Sequence, residues 1–145
     1  MIDLRRDPRF VDQYVELRNS HAEVLMTEPV SPDDTREWLR TADVEVRGIV
    51  RGDDLEGVVI LYPGRQGEVA LFARTPGAGT GSALLQLVEA AARERRLAAL
   101  WSWVRKENTI AQRSFEKNGY RPAGEETRTY RGERRQGILF RKRLA

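Results

Sequence analysis

Residues 68–82 read E-V-A-L-F-A-R-T-P-G-A-G-T-G-S, and the fold turns on how that stretch is read. Val69 to Ala73 is a short apolar run that predicts a strand. Gly77, Gly79 and Gly81 then predict a glycine turn that opens directly into a helix, A-L-L-Q-L-V-E-A-A-A-R, over residues 83–93. Passing from strand to helix through glycines leaves several N–H groups unpaired at the helix N-terminus. Those donors and the helix dipole together favour a phosphate or pyrophosphate. Each hydrogen bond to a charged oxygen contributes roughly 1.5–3 kcal/mol, so a few hold a diphosphate without a lysine. Glycine suits such a turn because a Cβ would block close approach and disfavour positive φ. The same three glycines also serve a plain, tight strand-to-helix connection.

Two named phosphate motifs are absent. A P-loop ends in Gly-Lys-Ser/Thr, whereas Gly81 is followed by Ser82 and Ala83. A dinucleotide fingerprint needs Gly-x-Gly-x-x-Gly and an acid closing the next strand. The spacing here is Gly-x-Gly-x-Gly, and the next strand ends in Val104, Arg105 and Lys106.

A chain of 145 residues is most simply one domain, large enough to bury a sizeable core. It has no cysteine and one histidine, His21, which argues against disulfides, thiolate metal sites and histidine-based zinc or triad chemistry. No stretch approaches the ~20 apolar residues of a membrane span. The N-terminus, M-I-D-L-R-R-D-P, lacks the apolar core of a signal peptide, so a soluble cytoplasmic protein is expected. Residues 1–63 hold 8 Arg against 14 Asp and Glu, while residues 64–145 hold 17 Lys and Arg against 8 Glu. The basic half fits nucleic acid, a polyanionic small molecule, or simply a well-solvated arginine surface.

Outward from the glycine loop, Ile2 to Arg5 reads as a first edge strand. Asp7-Pro8 reads as cap and first position of a helix carrying Phe10, Val11, Tyr14, Val15 and Leu17. Ser31-Pro32 starts a second helix, with Asp33, Asp34 and Glu37 near its positive end and Trp38 and Leu39 buried. The segment between, S-H-A-E-V-L-M-T-E-P-V, reads as a loop. Val44 to Arg51, Leu55 to Tyr62 and Gly67 to Ala73 read as three antiparallel strands, turning at Gly52-Asp53-Asp54 and Pro63-Gly64-Arg65-Gln66. After the glycine-loop helix, A-A-L-W-S-W-V is a buried strand. Asn108 to Asn118 is a helix with Ile110, Ala111 and Phe115 on one face, closed by Gly119. Two strands follow, Arg121 to Thr129 and Gln136 to Leu144, joined by the basic turn Arg131 to Arg135.

This order, with the motif N-T-I-A-Q-R-S-F-E-K-N-G-Y at residues 108–120, resembles the GNAT superfamily of acyl-CoA-dependent N-acyltransferases. The family pattern is met at Asn108, Ala111, Phe115, Lys117, Gly119 and Tyr120, beginning 27 positions after Gly81. L-R-N-S-H and S-P-D-D-T-R-E-W-L are loosely similar to the branch of ribosomal-protein N-terminal acetyltransferases. The resemblance implies a single N-acetyltransferase domain over residues 1–145 with an α+β (α/β) fold. It implies a mixed, mostly antiparallel sheet of six to seven strands, about four flanking helices, and a splayed strand pair forming the cofactor cleft. It also implies acetyl-CoA as co-substrate and a primary amine, on a small molecule or a peptide, as acceptor; no metal is expected, and either a monomer or a homodimer.

By the same resemblance, the coenzyme A pyrophosphate would sit on the amides of Gly77, Ala78, Gly79, Thr80, Gly81 and Ser82. Backbone groups of Leu71, Phe72 and Ala73 would pair with the pantetheine arm, with an N–H near Leu71 polarising the thioester carbonyl and stabilising the oxyanion. Asn108 would bond the pantetheine or lock the gap between strands, a role compatible with capping its helix. Two departures stand out. Pro76 replaces the Gln or Arg that usually begins the glycine motif. Phe115 stands where many members carry a tyrosine that protonates the thiolate; Tyr62, Tyr120, Tyr130 and Ser114 are substitutes, and a thiol of pKa near ~8.5 also reprotonates from water. Glu68 is the candidate base, with Glu28 second. The acidic N-terminal half points to a cationic amine. Two competing readings are a coenzyme A-binding module without activity and a basic nucleic-acid-binding protein, the latter lacking aromatics interleaved in a recognisable motif.

Overall fold

The alternation of residues 44–62 closes into a hairpin whose strands, β2 (Glu45–Arg51) and β3 (Asp54–Tyr62), meet across Gly52-Asp53. The structure, a computed structural model, describes residues 1–144. β1 (Ile2–Asp3) pairs with the outer edge of β2, and β4 (Glu68–Ala73) pairs antiparallel with β3. β5 (Ala99–Arg105) follows β4 in the sheet. β6 (Arg121–Tyr130) and β7 (Glu133–Arg143) form a hairpin of which β7, not β6, lies against β5. The seven-stranded order is β1-β2-β3-β4-β5-β7-β6, antiparallel throughout except between β4 and β5.

Among the described residues five helices flank the sheet: α1 (Val11–Ser20), α2 (Ala22–Leu25), α3 (Pro32–Thr41), α4 (Thr80–Glu94) and α5 (Thr109–Lys117). β3 is apolar on both faces, as a strand sandwiched between two helical layers must be. Val59 and Leu61 pack with Leu84, Leu85 and Val88 of α4, Leu100 of β5, Phe115 of α5 and Phe140 of β7. Val58 and Ile60 face the other way, toward Val11 and Tyr14 of α1, Leu39 of α3, and Phe72. Among the described residues no helix is long and apolar enough to cross a membrane.

Several expectations are corrected. Asp7 caps no helix: its carboxylate accepts from the Arg9 side chain (2.8 Å), and Pro8–Phe10 forms a 3-10 turn before α1. The loop expected between the first two long helices contains the single turn α2, closed by Met26 in the left-handed region. Trp38 is only half-buried. Ile110 is 49% exposed rather than on the face of Phe115, because five residues at ~100° each turn it well away. The basic turn expected over 131–135 is only Arg131-Gly132, since Arg134 and Arg135 continue the ladder opposite Thr129 and Arg128. Ser31 does cap its helix, accepting from Asp34 N (3.1 Å), with Pro32 first inside.

Candidate active site

β4 and β5 start as neighbours and then part. Trp101 N donates to Gly67 O (3.1 Å), Glu68 opposes Trp101, and the register goes no further. Gly67 fixes that root: its φ is +85°, and a Cβ there would lie 2.4 Å from Ala99 O. One step on, the buried Ser102 hydroxyl donates to Val69 O (2.7 Å) in place of a backbone partner. Arg74 N donates to Glu56 O (2.7 Å), so the antiparallel alternation sends the amides of Arg74, Phe72 and Ala70 toward β3. Leu71 and Ala73 therefore turn their N–H and C=O groups into the gap beside β5. Phe72 is the correction within the expected Leu71–Ala73 set: its backbone is used by Val58, and its ring sits 3% exposed among Tyr14 and His21.

The glycine loop ends at the mouth of this gap. Gly79, at φ +83°, precedes α4 without a side-chain cap, and the first backbone bond into the helix runs from Ala83 N to Gly79 O (3.3 Å). The amides of Thr80, Gly81 and Ser82 are thus left without an acceptor, with the dipole of a 15-residue helix behind them. Gly77 and Ala78 lie in the exposed turn before it. Thr80 offers only its amide, because its side chain is 1% exposed and packs over Gly57. Gly81 answers a packing need: a Cβ there would approach Ser114 Oγ of α5 to 3.2 Å. Asn118 Nδ2 ties the two helices further by donating to Ser82 Oγ (3.0 Å).

A cavity of about 160 Å³ passes through the gap. Strand alternation divides its lining into two halves. Val69, Leu71, Ser102, Val104, Asn108, Ala111 and Phe115 border the side of α4 and α5. Ile60, Tyr62, Glu68, Trp103 and Arg128 border the opposite side, with Arg18 of α1 and Leu25 of α2. Two reactants can reach one point from opposite faces of the sheet. Glu68, its side chain 13% exposed, accepts from Arg65 (3.2 Å) and Arg128 (3.5 Å). Arg128 crosses from β6 to do so, its guanidinium lying 5.0 Å from the Trp103 ring centre and 5.9 Å from that of Trp101.

The other singled-out residues lie as follows. Asn108 Oδ1 accepts from Ala111 N (3.1 Å), so it caps α5 while lining the cavity. Phe115 is 2% exposed, stacked on Phe140 and met edge-on by Tyr120 at 4.9 Å. Tyr120 Oη is buried without a partner, and burial pushes its hydroxyl above the ordinary range; it does not line the cavity. Tyr130 Oη is committed to Thr27 O (2.8 Å). Tyr62 lines the opposite half, its hydroxyl also pushed up by burial. Glu28 lies outside the cavity, where the Arg131 guanidinium holds its carboxyl below the usual range. Sequence reasoning passed over Ser102, Arg18, Arg128 and the two tryptophans. W-S-W at 101–103 carried a signal, since period two sets both rings on one face.

The sequence matches the family model of the acetyltransferase (GNAT) family over residues 10–120. A search of curated proteins gave no significant match. Among solved structures, a ribosomal-protein-alanine N-acetyltransferase from Brucella melitensis superposes with a TM-score of 0.83 at 18% identity, covering 94% of this chain and 95% of that one. An N-acetyltransferase from Staphylococcus aureus Mu50 gives 0.83 at 15% identity, covering 94% of each chain. The structure of yncA from Salmonella typhimurium with its cofactor acetyl-CoA gives 0.83 at 16%, covering 96% and 91%. At these identities the likeness is one of fold.

Proposed function

The chain belongs to the acetyltransferase (GNAT) family, and from that premise we propose that it transfers the acetyl group of acetyl-CoA to a primary amine by direct attack within a ternary complex. The observation that carries the proposal is the break in the β4–β5 ladder, which leaves the amides of Leu71 and Ala73 unpaired beside the bare first turn of α4. Acetyl-CoA supplies an acyl group activated as a thioester: a C–N bond forms as the C–S bond breaks, the amine gives up one proton and the departing thiolate gains one.

The residues present fit such a co-substrate. The free amides of Thr80, Gly81 and Ser82, with the turn at Gly77, Ala78 and Gly79, would hold the pyrophosphate. Leu71 and Ala73 would take the pantetheine arm as an added strand, with Leu71 N–H donating to the thioester carbonyl and to the charge that builds on it. Asn108 and Phe115 would border the arm. Glu68, on the opposite side, would receive the amine proton directly or through water. Phe115 has no hydroxyl, and Tyr120 is sealed behind it, so the thiolate would be reprotonated from water. Alignment of amine and thioester across the gap would supply most of the acceleration, roughly 7–11 kcal/mol of the barrier.

Thiol release from acetyl-CoA, screened over amino acids, polyamines, aminoglycosides and peptide N-termini, tests the proposal. Amine-dependent release with a matching N-acetylated product supports it. Tight acetyl-CoA binding with no release from any amine would leave a coenzyme A-binding module instead.

A further inference from the structure

The half of the cavity away from α4 is bordered by four arginines, Arg18, Arg65, Arg105 and Arg128, against one carboxylate, Glu68. Arg65 and Arg128 share Glu68, Arg128 also meets Glu126 (2.8 Å), and Arg105 lies 3.8 Å from Glu107. Arg18 forms no ion pair among the described residues. Its Nη1 donates to Tyr14 Oη (2.8 Å), its guanidinium lies 5.8 Å from the Trp38 ring centre, and its Nε is buried without an acceptor. A guanidinium drawn partly out of water without a counter-charge is costly, and an anion at the cavity would offset that cost. It stands on α1, across the sheet from the mouth of α4, and is therefore not a ligand for the coenzyme phosphates. The acids of the N-terminal half that pointed to a cationic acceptor are elsewhere: Asp33, Asp34 and Glu37 are exposed on α3 and border none of the cavity.

Resting on the acyl-transfer reading above, we infer that the acceptor is a small amine that also carries a carboxylate, bound through that carboxylate by Arg18. The planar fork of an arginine presents paired N–H donors that match a carboxylate. Val24, Leu25, Ile60 and Tyr62 supply apolar wall for a short side chain beside it. Only one half of the cavity of about 160 Å³ is left to the acceptor, room for a small amine rather than a folded partner.

Paired acceptors test this: phenylalanine against phenylalaninamide, and alanine against alaninamide, which keep shape and remove charge. The amide's amine is the less basic, so a preference for the acid cannot arise from amine ionisation. The expected kcat/KM favours the acid by at least ~30-fold, the range lost when one partner of a buried charge pair is removed. Arg18→Gln brings the ratio near one through the acceptor KM, leaving the acetyl-CoA KM unchanged, and Arg18→Lys restores part of it. Preference for the amide, or equal loss toward acid and amide in Arg18→Gln, overturns the inference. Calorimetry of N-acetylphenylalanine and its amide with the coenzyme A-loaded protein reads the same subsite without turnover. Tighter binding of the acid upholds the subsite even if no amine is acetylated, in which case the transfer reading alone falls; equal binding overturns the subsite.

Discussion

Gly57→Ala probes the seat of α4 without touching a group assigned to chemistry. Gly57 faces Ala73 in the β3–β4 ladder and lies beneath the first turn of α4. A β-carbon there would stand 2.7 Å from Thr80 Cγ2 and 3.0 Å from Leu84 Cδ1, where ordinary contact begins at 3.4 Å. Both neighbours are buried, at 1% and 0% exposure, one turn apart on the same helix, so neither can swing aside. The shortfall of about 0.7 Å must be met by lifting the helix start, an overpacking cost of roughly 1–3 kcal/mol. For a chain of this size that lowers Tm by about 3–10 °C. Because the amides of Thr80, Gly81 and Ser82 move with the helix, acetyl-CoA binding should weaken about 10–100-fold, the loss of roughly one hydrogen bond to a charged oxygen. Differential scanning calorimetry gives the first quantity and isothermal titration with acetyl-CoA the second. A variant as stable as the parent would refute the packing reasoning. One that is destabilised yet binds acetyl-CoA with unchanged Kd would show that the mouth of α4 is not where the pyrophosphate rests.

Leu71→Pro removes an N–H that β3 does not use, so the strand tolerates it as an edge would. Compared with Leu71→Ala, kcat in a thiol-release assay should fall a further ~10²–10³-fold, and equality of the two variants would deny the amide its role. Asn108→Ala should cost ~0.5–2 kcal/mol in urea melts as a lost cap; a rise in acetyl-CoA KM beyond that seen in a second cap variant, Asn108→Ser, would add the pantetheine contact. Tyr14 is buried, and burial outweighs Arg18 to push its hydroxyl up to about 12. Its folded form therefore holds a proton that the unfolded chain loses near ~10, so its contribution to stability is constant below that pH and falls between ~10 and 12 by ~2–3 kcal/mol. Urea melts at stepped alkaline pH follow this decline, which Tyr14→Phe should shallow.

The sheet's first four strands, the glycine loop and the capped α5 were legible because each is written locally: alternation, a two-residue turn, Ser31-Pro32, Asn108 before Gly119. The position of β7 between β5 and β6 was not, because the β6–β7 hairpin satisfies the same local pattern whichever strand meets β5. The bare start of α4 was marked in advance by the glycine turn at Gly79, whereas Gly67, which seats the root of the β4–β5 break, read only as the start of a strand. The side where the acceptor would bind in the proposed reaction is bordered by Arg18, Glu68, Trp103 and Arg128, residues brought together from α1, β4, β5 and β6. Local pattern carries no trace of such a meeting. Overall charge is silent for the same reason: none of the fourteen acids of residues 1–63 borders the cavity, whereas Arg18 of α1 does.

The central claim is that main-chain amides at the start of α4 and along the free edge of β4 hold the acyl donor. A crystal structure with acetyl-CoA bound tests it most directly. The account predicts the pyrophosphate on the amides of residues 77–82 and the thioester oxygen within hydrogen-bonding distance of Leu71 N. Density for the cofactor elsewhere, with the gap between β4 and β5 closed by side chains, would contradict it.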